Sequence, residues 1–82
     1  MNKPEIRATV IAELKRIAPE LEESELAPAK PLRDQVDLDS MDWLNFLVAL
    51  HERLKVDIPE SDYARLVTLD QTVDYLAAKL RL

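Results

Sequence analysis

Residues 37–44 read Asp-Leu-Asp-Ser-Met-Asp-Trp-Leu, a lone serine among three carboxylates, followed by apolar side chains. A hydroxyl so placed is open to three uses: nucleophile, helix cap, or anchor for a modifying group. Nucleophilic catalysis needs a base within hydrogen-bond reach of Ser40. His51 is the single imidazole, and eleven residues along one helix put it roughly 16 Å away. Asp39 and Asp42 can orient a hydroxyl, but an ordinary carboxylate is a weak base for activating an alcohol. Paired carboxylates for glycoside chemistry need a sugar cleft, which short helical chains rarely form. The chain is therefore not expected to be an enzyme. A phosphodiester on Ser40, by contrast, lies against the unpaired N–H groups of a helix's first turn, which favour anions. Asp39 and Asp42 oppose that modestly, so their charge points to another use, such as a partner's basic surface.

Composition narrows the other classes. Cysteine is absent and histidine single, which excludes disulfides, thiolate metal sites and a histidine zinc pair, so no metal is expected. Net charge is −5 with a pI near 4.7, against a nucleic-acid role, which needs clustered Lys and Arg. No apolar run approaches the roughly 20 residues that cross a bilayer. No signal peptide is read at the start, and a soluble cytoplasmic monomer without membrane insertion is expected. The 82 residues, 48% of them hydrophobic, suffice for one domain over 1–82 with a marginal core. Glycine is absent, so left-handed backbone positions are expected to fall on Asn or Asp, or to be avoided.

The elements that must hold Ser40 are helical. Ile6, Val10, Leu14, Ile17 and Leu21 recur at spacings of three and four, one apolar face of a first helix over 4–18. Asn2 with Glu5 resembles a capping box, Pro4 is tolerated in a first turn, and Pro19 closes the helix. From Pro19 to Leu38 no period is sustained, which leaves a long first loop. Its acidic group Glu20, Glu22, Glu23 and Glu25 reads as loop solvation. A second long helix runs from Ser40 to about Lys55 with Asp39 as N-cap. On it Trp43, Phe46, Leu47, Leu50 and Leu54 share one arc of roughly 100°. Met41, Leu44 and Val48 lie on a displaced arc with His51. Asp42, Asn45, Ala49, Glu52 and Arg53 fill the remaining side. His51, Arg53 and Lys55 near the helix end read as surface cations complementing its dipole. After Ile58-Pro59, "ESDYARL" allows one or two helical turns. Thr68 with Gln71 forms a second capping box, opening a last helix over about 69–80 on Leu69, Val73, Leu76 and Leu80. The expectation is all-α: three main helices, one short helix and a long first loop.

"VDLDSMDWLNFLVALHERLKVDIPESDYARLVTLDQTVDYL" resembles the acyl carrier protein family, whose signature is Asp-Ser-Leu at the start of helix two. The resemblance runs on through the Ile-Pro that follows the helix and the pattern of the last helix. It implies a four-helix bundle with a covalent 4′-phosphopantetheine arm on Ser40, taken from coenzyme A, whose thiol carries an acyl or aminoacyl group as a thioester. The partners implied are a phosphopantetheinyl transferase (carrier-protein synthase), with magnesium at that enzyme's site, and acyl-loading, elongating or acyl-transferring enzymes. Asp39 and Asp42 match acidic positions that such enzymes grip, and Asn45 lies on the same face. Met41, Leu44 and Val48 match exposed positions that dock against partners; the alternative is burial under the first loop. Phe46, Leu47, Leu50, Leu54, Ile58, Leu66, Leu69 and Val73 match the lining of an acyl pocket.

Three departures bear on the pathway. The position two before the signature Asp is usually glycine and here is Asp37, which tolerates a left-handed conformation better than most. Asn45, His51 and Arg53 stand where carboxylates are common, which weakens a continuous negative stripe. Trp43 and Tyr63 replace what are often smaller residues, and either simply pack or reshape the acyl pocket. The expectation is a stand-alone carrier for a specialised acyl or aminoacyl group. Two rivals share the sequence features: a non-carrier helical adaptor in which Ser40 merely caps, and a peptidyl carrier of non-ribosomal synthesis, whose usual paired glycines are missing.

Overall fold

In the computed structural model, which describes residues 1–80, the Asn2 side chain accepts a hydrogen bond from the Glu5 amide at 2.9 Å. Glu5 in turn accepts one from the Asn2 amide at 3.1 Å. The full capping box starts α1 (Lys3–Ile17), with Pro4 in its first turn. A single-turn helix α2 (Leu32–Gln35) follows, then α3 (Ser40–Leu54) and α4 (Leu69–Lys79). Two 3-10 segments interrupt the connections, Glu23–Glu25 and Glu60–Arg65. The second box also forms: Gln71 N–H donates to Thr68 Oγ1 at 3.0 Å and Thr68 N–H to Gln71 Oε1 at 3.1 Å. Among the described residues no strand forms, only one isolated bridge between Pro31 and Thr68.

Spacing decides what is buried. α1 lies against both α3 and α4, and its Ile6, Val10 and Leu14 are fully enclosed. Phe46, Leu47 and Leu50 of α3 and Leu69 and Leu76 of α4 meet them in one core. Burying a Leu, Ile or Phe side chain contributes about 1.5–3 kcal/mol, so these positions carry most of the fold's stability. Thr72 is also enclosed, and its hydroxyl avoids a desolvation penalty by donating to the Thr68 carbonyl at 2.8 Å.

The first connection is more structured than its missing period implied. Gln35 accepts from the Ala27 amide at 2.6 Å and donates to the Ala27 and Lys30 carbonyls at 2.9 and 3.0 Å. Leu26, Leu32, Val36 and Leu38 drop into the core. The loop is pinned across the molecule as well: Leu32 N–H donates to the Val67 carbonyl at 2.8 Å and Asp70 N–H to the Pro28 carbonyl at 3.1 Å. One side-chain amide and four apolar anchors replace helical periodicity as the ordering device.

Two further expectations are corrected. The one left-handed position among the described residues is Lys55, at φ 55°, ψ 45°, not an Asn or Asp. It caps α3, where its N–H and that of Val56 both reach the His51 carbonyl. Asp37 takes no left-handed conformation. Val36 and Asp39 are extended, so the chain enters α3 without the turn that glycine would serve.

Candidate functional site

Asp39 holds the start of α3. Its carboxylate accepts from the Asp42 amide at 2.8 Å, and its carbonyl accepts from Trp43 at 2.9 Å. Ser40 is therefore the first helical residue and not the cap. Its side chain is exposed, and no hydrogen bond to another described residue ties down its hydroxyl. With Asp42 and Trp43 satisfied, the amides of Ser40 and Met41 remain the open donors of this helix end. A phosphodiester on Ser40 fits that environment: unrestrained attachment oxygen, two free N–H groups, and the positive end of a 15-residue helix. Asp39 and Asp42 stand on either side and keep the rim acidic.

An apolar stripe runs down α3 from that point. Met41 is 66% exposed, Leu44 41% and Val48 43%. The first connection does not cover them, which removes the burial alternative. Asn45, beside the stripe, is exposed and faces a groove between α1 and α3 that Ile17, Ala49 and Glu52 also line. His51 is exposed, and its Nδ1 lies 2.7 Å from the Val56 carbonyl. A carbonyl only accepts, so that nitrogen bears the proton and the ring braces the end of α3.

The residues matched to an acyl pocket fall into two groups. Phe46, Leu47, Leu50, Leu66 and Leu69 have almost no exposure, and Val73 little; they are core. Trp43, Leu54, Ile58 and Tyr63 are half-buried against that core. Trp43 packs on Phe46, with ring centroids 5.2 Å apart. It also borders a cleft of about 290 Å³ with Tyr63 and Leu66. Leu47, Ile58 and Tyr63 border another of about 210 Å³.

Sequence reading missed three groups. Glu13 is 3% exposed and bonds to Arg53 at 2.9 Å and Arg16 at 3.2 Å. Arg53 is thus tied to α1 and is no free surface cation. The signal was present: Glu13 falls three residues after Val10, on the apolar arc of α1. Tyr75, buried in α4, donates to Asp62 Oδ2 at 2.6 Å, with Arg65 and Lys79 over its ring. Burial, and then the Asp62 carboxylate, push its phenol up to about 12. Gln35 is the third, and no local pattern marks its loop contacts.

A small helical bundle that presents an uncommitted serine at a helix start, beside acidic and apolar flanks, has the architecture of a carrier domain. The comparisons with known proteins agree. Residues 5–76 match the family model described as phosphopantetheine attachment site. The chain is 32% identical to an acyl carrier protein of Acidothermus cellulolyticus over 77 residues, 94% of this chain and 90% of that protein. It is 29% identical to one from Rubrobacter xylanophilus over 56 residues, 68% of this chain and 69% of that one. A solution structure reported as an acyl carrier protein of Anaplasma phagocytophilum superposes with a TM-score of 0.83 at 28% identity, covering 96% of this chain and 92% of that one. The chain belongs to the acyl carrier protein family, and its cofactor is 4′-phosphopantetheine. Proteins of this kind work with a phosphopantetheinyl transferase and partner enzymes. No helix among the described residues is long and apolar enough to cross a membrane. No group of three or more potential metal ligands occurs among them.

Proposed function

We propose that Ser40 is the attachment residue, and that the chain is a cytoplasmic, non-catalytic carrier for a specialised acyl or aminoacyl group. One observation carries the reading: Asp39 makes the cap bond, so the adjacent exposed hydroxyl has no structural task. When bound, 4′-phosphopantetheine supplies the thiol that bears the cargo. The residues around it do the rest. The open amides of Ser40 and Met41 steady a negative group at the helix end. Asp39 and Asp42 offer charge to a basic partner surface, which raises the rate of encounter and selects against acidic partners. Met41, Leu44 and Val48 give that partner an apolar footing. Trp43, Tyr63 and the core face of α3 shelter the cargo from water.

A specialised pathway is supported by what α3 lacks. Asn45 and His51 interrupt its negative face, and Arg53 is occupied by Glu13. A relative from Mycobacterium leprae, 33% identical over 66 residues (80% of this chain, 57% of that protein), is named a meromycolate extension acyl carrier protein. Sequences this similar thus include one named for a dedicated acyl pathway.

Intact-mass measurement after incubation with coenzyme A and a promiscuous phosphopantetheinyl transferase tests the attachment. Wild type should gain one phosphopantetheine and Ser40→Ala none. A folded wild type of unchanged mass, beside an active transferase, leaves only the helical adaptor.

A further inference from the structure

The chain has no cysteine and two methionines, so its sulfur chemistry rests on Met1 and Met41. Met1 lies before α1, away from the docking stripe. Met41 is the second residue of α3 and adjoins Ser40. At 66% exposure it stands further into water than Leu44 or Val48. It lies outside the hydrophobic core, so folding does not require its thioether to stay apolar. Side chains on an α-helix lean toward its N-terminus, which directs Met41 to the end that bears Ser40. An enzyme that reaches the Ser40 hydroxyl therefore covers Met41 as it docks. Leucine, the residue of the family signature, would give the same apolar footing. Methionine adds a pliable sulfur that takes up oxygen.

Resting on the Ser40 assignment and the docking role of its flank, we propose that Met41 is a reversible oxidation site, where a hydroperoxide silences the carrier toward partner enzymes while the fold stays intact. The Sδ lone pair attacks one peroxide oxygen, the O–O bond breaks and an S=O bond forms. The departing oxygen takes up a proton and leaves as water or an alcohol; sulfur loses two electrons and the peroxide gains them. A partner surface shaped for a thioether then buries an S=O dipole without a donor to match it. On the scale of burying an unpaired polar group, docking weakens about ten- to a hundredfold. A methionine sulfoxide reductase reverses the change: two thiols become one disulfide, and the oxygen leaves as water. Oxidation of a core methionine disrupts packing, whereas at Met41 it alters only what a partner meets.

The test treats the full apo chain with hydrogen peroxide, so that no arm thiol competes, and then removes the peroxide with catalase. Peptide mass mapping confirms one added oxygen on Met41. Transfer of phosphopantetheine from coenzyme A by a transferase is followed by intact mass, each protein against its own untreated rate. Oxidised wild type should lose about ten- to a hundredfold in kcat/KM, keep its helical circular dichroism, and recover after treatment with sulfoxide reductases. Met41→Leu, which retains Met1, should transfer at the same rate before and after peroxide. Four results overturn the proposal: oxidised wild type that transfers at its untreated rate, an equal loss in Met41→Leu, loss of helix on oxidation, or a Met41 left unoxidised where N-acetylmethionine reacts fully. Untreated wild type that gains no mass overturns the Ser40 assignment instead, so the two failures are distinct.

Discussion

Arg53→Ala should weaken the fold measurably although Arg53 is a surface residue. Its guanidinium bonds to Glu13 at 2.9 Å, and that carboxylate is 3% exposed while the Arg53 side chain is 50% exposed. Removing one partner of a fully buried pair costs about 3–5 kcal/mol, whereas an exposed pair contributes under about 1 kcal/mol. Here one partner is enclosed, the other half in water, and Arg16 remains as a second, more exposed donor at 3.2 Å. The expected loss is about 1–2 kcal/mol. Arg53→Glu is worse, because two carboxylates about 4 Å apart repel by up to about 4 kcal/mol at an effective dielectric near 20. Rotation of the new side chain into water relieves part of that, leaving about 2–3 kcal/mol. A chain of this size is held by roughly 4–12 kcal/mol in all, so either change is large.

Urea unfolding followed by Trp43 emission and helical circular dichroism reads the effect. With a slope of about 1 kcal/mol per molar urea, Arg53→Ala should lower the midpoint by about 1–2 M. The cycle with Glu13→Gln should give a coupling of about 1 kcal/mol, and Glu13→Met should be neutral or stabilising, because an apolar group avoids the desolvation of the carboxylate. An Arg53→Ala midpoint equal to wild type, with no coupling to Glu13, would refute the reasoning. The same logic separates stability from recognition on α3. Lost transfer in Arg53→Glu would mix lost stability with changed charge, so partner electrostatics are better probed at Asn45.

Asn45→Glu extends the negative face of α3 at an exposed position and should raise transfer by fatty-acid enzymes several-fold at low salt, less at high salt; an unchanged rate at both salts counts against the account of helix charge. Tyr75 is neutral in both states below pH 10; between pH 10 and about 12 only the unfolded chain ionises. Stability should therefore fall across that window by on the order of 2 kcal/mol, a fall absent from Tyr75→Phe; parallel curves for the two proteins would exclude it. Lys55→Gly relieves a left-handed lysine and should stabilise by about 0.5 kcal/mol net of the added chain freedom, seen as a raised urea midpoint, with a lowered one refuting the cap geometry. Gln35→Ala unstitches residues 27–31 and should speed limited proteolysis there at a cost of about 1–2 kcal/mol; cleavage at the wild-type rate would show that the apolar anchors alone order the loop.

The long helices were legible because one period governs them. Asn2–Glu5 and Thr68–Gln71 marked two starts, Asp39 the third, and the apolar spacings gave the buried faces to within a residue or two. The 19–39 connection was not legible for the opposite reason. Its order comes from Gln35 reaching back eight residues and from Leu32 and Asp70 bonding across the chain, contacts with no periodic trace. The left-handed lysine escaped for a related reason: without glycine the helix still needed a C-cap, and the fold accepted the steric cost at Lys55. In the site, Ser40 was readable from its setting. Asp39 was also read as the N-cap, and it takes the Asp42 amide as expected, which leaves the Ser40 hydroxyl without a capping bond.

α3 divides its circumference among three tasks, and the division constrains how this carrier can change. One face, Phe46, Leu47 and Leu50, is enclosed and fixes the bundle. A second, Met41, Leu44 and Val48, stays in water at a cost that folding alone does not explain. On the third, Arg53 is bound to Glu13 while Asn45 is free. A partner reading only charge therefore meets a weaker negative field than the acidic count suggests, since the Glu13 carboxylate is neutralised by Arg53 and Asn45 and His51 supply no carboxylate. On the proposed docking role of Met41, Leu44 and Val48, discrimination between partners then leans on the apolar stripe. Contacts of that kind act at short range, governing how long a complex lasts more than how often it forms.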